Sequence, residues 1–316
     1  MAKYVKTEQG YQEIEAINSK FIPFKPAGKS YLTFRSLSSF TLKVNDITKH
    51  WDGTLEYFAS DKTWTVWDGT TTLSAVADDG EYILYLRGTG NTVITGSNSN
   101  YRWVLTGTDI KCIGNIENLL DYATVASGGH PIMATYCYRG MFYGCTSLTQ
   151  APALPATTLA SGCYHAMFCS CIGLTQAPAL PATTLANDCY DGMFSSCISL
   201  TQAPALPATI LANNCYSYMF YRCTSLKLSS SKTDKYTQEY RIPSSGEGTT
   251  ATDALKNMFT STSGTFTGTP AINTTYYLSS DNMIVRETEI ATLNGYVGAM
   301  IAAKAVAYPS AEDSTF

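Results

Sequence analysis

The chain is poor in charge and in histidine. Of its 316 residues, 15% are charged, the net charge is −4, and three are histidines. A typical soluble domain is about 25% charged, and a nucleic-acid-binding surface needs an excess of Lys and Arg. The composition therefore argues against a nucleic-acid partner.

The few histidines also bear on catalysis. His50, His130 and His165 are scattered along the chain, and no nucleophile–base pair, phosphate-binding loop or zinc-binding helix motif accompanies them. We predict that the protein is not an enzyme and has no cofactor and no metal site. A glycosidase is the alternative, since two carboxylates about 5–10 Å apart in a cleft can come from any part of a sequence.

Long apolar runs are missing as well. No run reaches the ~18 residues that a membrane span requires, and residues 1–30 lack the apolar segment of a secretory signal. If Met1 is the native start, we expect the chain to be made and kept in the cytoplasm. A surface protein whose signal has been removed would look the same.

What the chain does contain is a 26-residue unit copied through its middle. The copies span 137–162, 163–188 and 189–214, with a partial copy at 215–226 and a weak one near 254–272. A fixed period of this length predicts a solenoid, in which each unit buries its apolar face against its neighbours. The spacing of 26 relates two cysteine series and a Met-Phe series, which begin at Cys137, Cys145 and Met141.

Comparison of the copies separates core from surface. Positions that keep their apolar residue are predicted to point inward, and positions that differ between copies are predicted to face solvent. The predicted structural core is Phe142, Cys145, Leu148, Phe168, Cys171, Leu174, Phe194, Cys197, Leu200, Phe220 and Cys223. The candidate binding surface is Arg139, Tyr143, His165, Asp191, Tyr218, Tyr221 and Arg222.

Each unit is expected to have a strand side and a helical side. Ser147–Leu154 is the predicted strand, shortened by its prolines, and the span from Cys163 to Cys171 is the predicted helix. The glutamines of successive strands should stack about 4.8 Å apart. The uniform Thr/Gln/Pro face suits either repetitive recognition or dense packing. The tyrosine series 138, 164, 190 and 216 is either half-buried packing or a ligand-facing strip.

Ten cysteines raise the question of disulfides. Within a unit the two cysteines are eight residues apart, and eight helical residues rise about 12 Å, whereas a disulfide needs Cα atoms within about 7 Å. We therefore predict ten free thiols that fill the core. Metal binding by Cys169, Cys171 and His165 is a weaker alternative.

The regions flanking the repeats are different in character. Residues 1–29 form a leader or anchor segment with a short helix after Thr7, and 30–110 read as a β-sandwich of short strands between Gly- and Asp-rich turns. Trp51 and Trp67 are either parts of two hairpin turns or a sugar-binding platform. The solenoid is assigned to 111–275 with a looped-out insertion at 227–253, and a C-terminal helical segment to 276–316, with its helix at 288–308.

The unit Cys-Tyr-x-x-Met-Phe-x-x-Cys-x-Ser-Leu-Thr resembles the BspA-like (Treponema-type) leucine-rich repeat. The match covers roughly 137–226, although the unit here is about three residues longer. Members of that family, encoded by gut Bacteroides-type bacteria and their phages, are surface adhesins and interaction proteins without catalytic residues. The matching signature positions are Phe142, Cys145, Ser147, Leu148, Thr149 and Pro155.

Together these observations predict an α+β multidomain protein. It would comprise an N-terminal all-β sandwich, a short leucine-rich-repeat solenoid and a C-terminal helix. We expect a non-catalytic, virion-associated phage protein for structure or host attachment, part of an oligomeric assembly, with virion or surface proteins and a host glycan or protein as partners. The alternative is a bacterial cell-surface adhesin.

Overall fold

A computed structural model describes residues 4–7, 10–13, 24–28, 31–46, 49–98, 100–243 and 251–285. The first described elements are β1 (Tyr4–Thr7) and β2 (Gly10–Glu13), which pair as an antiparallel hairpin. The predicted leader helix is therefore wrong at Gly10–Glu13, which form a strand. The rest of that helix lies outside the described residues.

The front of the molecule is built from two sheets. The larger has the order β12-β11-β3-β9-β5-β6, with β8 also paired to β9, and the smaller has the order β10-β4-β7. Alternate residues of β3, such as Leu32 and Phe34, are fully buried between the sheets. The strands are β3 (Leu32–Ser36), β4 (Thr41–Val44), β5 (Thr54–Phe58), β6 (Trp64–Val66), β7 (Leu73–Ser74), β8 (Val76–Asp78), β9 (Glu81–Thr89), β10 (Trp103–Thr106), β11 (Ile110–Ile113) and β12 (Leu148–Gln150).

The front sheets and the first repeat share one hydrophobic core. β11 pairs in parallel with β12, which belongs to the first repeat, so the predicted boundary at residue 110 falls inside a strand. The Trp103 amide donates to the Met141 carbonyl at 2.7 Å, and the Ile94 amide donates to the Cys137 carbonyl at 2.9 Å. The front module therefore covers the open end of the repeat stack.

The predicted α+β class, with its solenoid of strand-and-helix units, is wrong. The structure is nearly all β in several small sheets, with 28% strand and 4% helix. The helices of the described chain are a 3₁₀ helix (Ile116–Leu119), capped by Asn115, and α1 (Tyr122–Ala126), capped by Asp121. The repeats contain turns where we predicted helix, and the C-terminal helix at 288–308 lies outside the described residues.

The turns of the repeats have a regular backbone that excludes an α-helix. Every fourth residue has a positive φ, between 51° and 73°, and an α-helix cannot pass through such a residue. This left-handed conformation costs about 1–2 kcal/mol for a residue with a side chain, yet the series includes Tyr, Ala and Arg. The positions are Tyr136, Gly140, Gly144, Gly162, Ala166, Ser170, Asp188, Gly192, Ser196, Asn214, Tyr218, Arg222, Asp253, Asn257 and Ser261.

Amides in these turns alternate between two partners. Met141 and Cys145 donate to carbonyls three residues earlier, whereas Tyr138 and Phe142 donate to the next copy of the unit. Five such bonds of 2.8–2.9 Å join the turns at 136–144 to those at 161–169, and five equivalent bonds join each later pair of turns, the weak copy included. We call these segments, 136–145, 162–171, 188–197 and 214–223, the turn face. We number the copies units 1 to 4 in chain order, and the weak copy is unit 5.

Side chains stack as regularly as the backbone. Successive tyrosine and phenylalanine rings lie 5.5–5.9 Å apart with interplanar angles of 3–8°. The Cys171, Cys197 and Cys223 thiols each donate to a phenylalanine carbonyl of the preceding unit at 3.0 Å. The thiols therefore join units by hydrogen bonds, and none of the ten cysteines is bridged.

The C-terminal end of the stack is covered by a second small sheet. The predicted insertion at 227–253 does not loop out along its whole length, because two of its segments are strands of this sheet, whose order is β15-β17-β14-β16. Tyr240 packs its ring 6.0 Å from that of Phe259 in unit 5. The remaining strands are β13 (Gln202–Pro204), β14 (Lys227–Ser229), β15 (Tyr236–Arg241), β16 (Ser263–Gly264), β17 (Thr275–Ser279) and β18 (Met283–Val285).

Candidate functional site

A groove of about 930 Å³ opens on the side of the repeats opposite the turn face. This volume lies within the range of about 300–1,000 Å³ that is typical of ligand sites. The segments 148–155, 174–181 and 200–207 form this side of the repeats, and we call them the proline face. The groove is lined by Lys111, Ile113, Gly114, Thr149, Gln150, Ala151, Pro152, Ala153, Leu154, Pro155, Thr175, Gln176, Ala177, Pro178, Ala179 and Pro181.

The groove lies where backbone pairing along the proline face is interrupted. Unit 1 pairs with β11, unit 2 pairs with unit 3 through a bridge between Gln176 and Gln202, and unit 3 pairs with β18. Within the described chain no backbone hydrogen bond joins 149–155 to 175–181. Backbone pairing thus joins Gln176 to Gln202, as the predicted stacking of the glutamines requires, whereas it does not join Gln150 to Gln176.

The two walls of the groove present backbone groups that pair with no described residue. On the unit 2 wall, the Thr175 carbonyl and the Ala177 amide both bond to Gln202 of unit 3. Because backbone groups alternate in direction along an extended chain, the amide and carbonyl of Gln176 point toward unit 1.

The unit 1 wall has the same arrangement in the opposite direction. Ala153 donates to the Gly114 carbonyl at 2.9 Å and accepts from the Ile116 amide at 3.1 Å. The amide and carbonyl of Leu154, the next residue, therefore point toward unit 2. The groove thus has one unpaired strand edge on each side.

The lining is small, apolar and nearly uncharged. Ala177 and Pro178 form buried parts of the wall, while Gln150 and Gln176 are exposed at the rim. Lys111 is the one charged side chain among the described lining residues, and none of those residues is aromatic. Sugar sites commonly use an aromatic ring as a stacking platform, so the lining favours another ligand class.

On the turn face, the candidate residues Arg139, His165 and Asp191 occupy the same position in units 1, 2 and 3. Their backbones are held in register by bonds from Gly140 to His165 and from Ala166 to Asp191. Nδ1 of His165 lies 3.5 Å from a carboxylate oxygen of Asp191. The Arg139 guanidinium bonds to the Ser97 carbonyl, so it is engaged with the front module.

The charged side chains around this position of the turn face shift the pKa values of Asp191 and His165. Burial, and then repulsion by Asp188, raises the pKa of Asp191 to about 7. Burial, and then the positive charge of Arg139, lowers the pKa of His165. Near neutral pH the histidine is therefore mostly neutral, and its contact with Asp191 is not a full ion pair.

The other candidate surface residues divide between two places. Tyr218 and Tyr221 of unit 4 are in edge contact at 5.7 Å, with the Arg222 guanidinium 5.1 Å from the Tyr221 ring. Tyr143 of unit 1 is 41% exposed and lies under Arg102. The seven candidates thus form separate groups and not one site.

Ser217, at the position of Arg139 in unit 4, is buried, against the expectation that this position faces solvent.

The tyrosine series is not a ligand-facing strip, and Trp51 and Trp67 are not a sugar-binding platform, because all of these rings are buried. Tyr138 and its three equivalents are at most 1% exposed. Trp51 and Trp67 are 3% and 1% exposed and pack against each other at 5.0 Å.

All eleven residues that we assigned to the structural core are at most 2% exposed. Burial raises the pKa of the core thiols, that of Cys145 to about 11. In the part of the chain that the structure describes, no group of three or more His, Cys, Asp or Glu is placed to hold a metal. The same part contains no helix long and apolar enough to cross a bilayer.

The groove itself was missed at the level of sequence. Its walls have the same sequence in units 1, 2 and 3, so no residue type distinguishes the one interrupted junction. The available signal was Gly173, where the other copies have Ser147 and Ser199. A Cβ at Gly173 would lie 2.7 Å from the Thr146 carbonyl oxygen, which indicates an unusually close approach of units 1 and 2 beside the groove.

No protein-family model, no curated protein and no solved structure matches this chain. The likeness to BspA-like repeats therefore rests on the motif positions alone.

Proposed function

We propose that this chain is a non-catalytic binding protein whose ligand occupies the groove between units 1 and 2. The observation that carries the proposal is the interrupted pairing, which leaves a concave site of ligand size with unpaired polar groups on both walls. A ligand that pairs with them gains affinity from an already formed site.

The lining favours binding over catalysis. Lys111 is the one charged side chain among the described lining residues. A raised pKa is typical of catalytic acids, but Asp191, which has one, belongs to the turn face and not to the groove. The raised pKa has a structural origin in burial and in the neighbouring Asp188.

For the biological setting we propose a phage particle, with a bacterial surface adhesin as the alternative. Ten unbridged cysteines support a chain that folds in a reducing compartment, because surface proteins in oxidising surroundings tend to form disulfides. Mass spectrometry of purified particles from the host that carries this gene tests the setting. Peptides from this chain are expected in the particles, and their recovery only from the washed cell surface would favour the adhesin.

Binding itself is tested with a blocked groove and a matched control. The intact chain is screened against a library of short random peptides and against a glycan array. Ala153→Trp places a large ring at an exposed lining position, while Ala205→Trp makes the same change at the equivalent position of unit 3, outside the groove. Thermal melts establish that both variants fold.

We expect at least one probe whose affinity falls about tenfold or more, or about 1.4 kcal/mol, in Ala153→Trp and is unchanged in Ala205→Trp. If every probe binds both variants alike, or if none binds the native chain, the proposed function is wrong.

A further inference from the structure

We infer that the groove takes an extended peptide, which adds as a β-strand between units 1 and 2. This inference rests on the proposed function and names its ligand class. Strand addition requires an unpaired strand edge, and the groove has two, at Leu154 and at Gln176. The wall segments 149–155 and 175–181 are seven residues long, and an extended peptide of that length spans about 20 Å, the length of an ordinary strand.

The chain already contains one case of strand addition on the proline face. β18 (Met283–Val285) comes from outside the repeats and pairs in parallel with β13 of unit 3, in the register Gln202 to Met283 and Pro204 to Val285. Its position is the one that a further unit would occupy. An extended segment from elsewhere in a polypeptide therefore pairs with this type of edge, even though each unit contains prolines that lack an amide donor.

The groove is the same kind of position with an edge on both sides. The Gln176 amide and carbonyl face it from unit 2, and the Leu154 amide and carbonyl face it from unit 1. A strand between them would have hydrogen-bonding partners on both flanks, as in the interior of a sheet. Its side chains would meet Ala and Pro from the walls, which favours small apolar and β-branched residues.

Charge gives the ligand a preferred feature at one end. Lys111 is exposed at the β11 end of the groove, and it is the only ionisable side chain among the described residues of the lining. A peptide with an Asp or Glu near this end would form a charge-assisted contact with Lys111. The absence of aromatic rings from that lining disfavours a glycan.

The experiment selects peptides on the native chain and then scans their backbone. The tightest groove-dependent peptide is resynthesised with a single N-methyl group at each residue in turn, which removes one amide donor at a time. If the peptide binds as a strand, affinity should fall at every second residue by about tenfold and change less at the residues between. Lys111→Met should weaken peptides that have an acidic end, and leave peptides without one unchanged.

Three results would overturn the inference. Groove-dependent binding that comes from the glycan array, with no peptide selected, would contradict the peptide ligand and leave the proposed function standing. A scan without a two-residue period would contradict strand addition. Self-association that Ala153→Trp abolishes and Ala205→Trp does not, measured by analytical ultracentrifugation, would make a second copy of the chain the occupant.

Discussion

The two faces of the repeat stack relate sequence to structure in opposite ways. On the turn face the exposed residues differ between copies, yet the same five backbone bonds join every pair of neighbouring turns. On the proline face the sequence is identical in three copies, yet unit 2 pairs with unit 3 and not with unit 1. Backbone regularity therefore comes from the buried residues and the turn conformation, and a repeated exposed sequence does not guarantee it.

The reason lies in the supply of backbone donors. The turns contain no proline, so each amide has a carbonyl within reach in its own unit or in the next. The proline face loses two donors per unit, at Pro152 and Pro155 in unit 1, and few bonds remain to hold neighbouring strands together. An interruption there costs few hydrogen bonds. It falls between unit 2 and unit 1, whose other edge pairs with β11.

The largest predicted effect tests whether buried rings hold the turn face in register. Phe194 is fully buried between Phe168 and Phe220. Phe194→Ala should lower the free energy of unfolding by about 3–5 kcal/mol, measured by chemical denaturation. Ile198→Ala, at a side chain that is 44% exposed, is the control and should cost less than about 0.5 kcal/mol. Equal effects would contradict the assigned core.

A second substitution tests the close approach beside the groove. Gly173→Ser introduces the residue that units 1 and 3 have at this position, but its Cβ would be 2.7 Å from a unit 1 carbonyl oxygen. We expect a loss of about 1–3 kcal/mol from overpacking, although the change restores the repeat consensus. Ser199→Gly is the converse control. A stabilising effect of Gly173→Ser would show that units 1 and 2 are not in contact there.

Two matched substitutions at positions of positive φ on the turn face should change the free energy of unfolding by smaller amounts. Gly192 and Ala166 occupy equivalent positions with φ of 59° and 51°. A Cβ at Gly192 meets no atom within 4 Å, so Gly192→Ala isolates the backbone cost, which we expect to be about 1 kcal/mol. Ala166→Gly should stabilise by a similar or smaller amount. Denaturation curves check both, and stabilisation by Gly192→Ala would argue for a helix.

The smallest effect depends on pH and concerns the turn-face charges. The pKa of Asp191 is raised to about 7 in the folded chain, so the folded state holds this proton more tightly than the unfolded state does. Stability from this group is present below its ordinary pKa and is lost as the pH rises to about 7. Asp191→Asn should therefore stabilise the protein more at about pH 8 than at about pH 5.

Asp188 and Arg139, which also act on Asp191, are retained in that variant, so the pH dependence reports Asp191 itself. Thermal melts at both pH values provide the measurement. A stabilisation that does not change with pH would contradict the raised pKa.

Much of the core was predictable from the sequence, whereas the backbone of the turn face was not. The period of 26 placed Phe142, Phe168, Phe194 and Phe220 inside, and all four are fully buried. The helix prediction failed because a four-residue turn repeat puts residues i and i+4 on one face, as an α-helix does. Only left-handed φ values distinguish the two, and residues such as Tyr136 and Ala166 do not suggest them.

The candidate site was predictable only in part. The proline face could be recognised as uniform, but its pairing depends on β11 and β18, which lie outside the repeats. The turn-face candidates were chosen for their variation, and the structure divides them into separate groups. Variation between copies identifies exposed positions, and it does not identify a shared site.

Amide hydrogen exchange at the groove tests the interrupted pairing most directly. Gln176 and Ala177 are neighbours in one wall, but the Ala177 amide donates to the Gln202 carbonyl at 3.0 Å while that of Gln176 faces the groove. In the ligand-free protein we predict fast exchange at Gln176 and slow exchange at Ala177, resolved by NMR. Protection of Gln176 equal to that of Ala177 would mean that units 1 and 2 are paired and that no strand-binding groove exists.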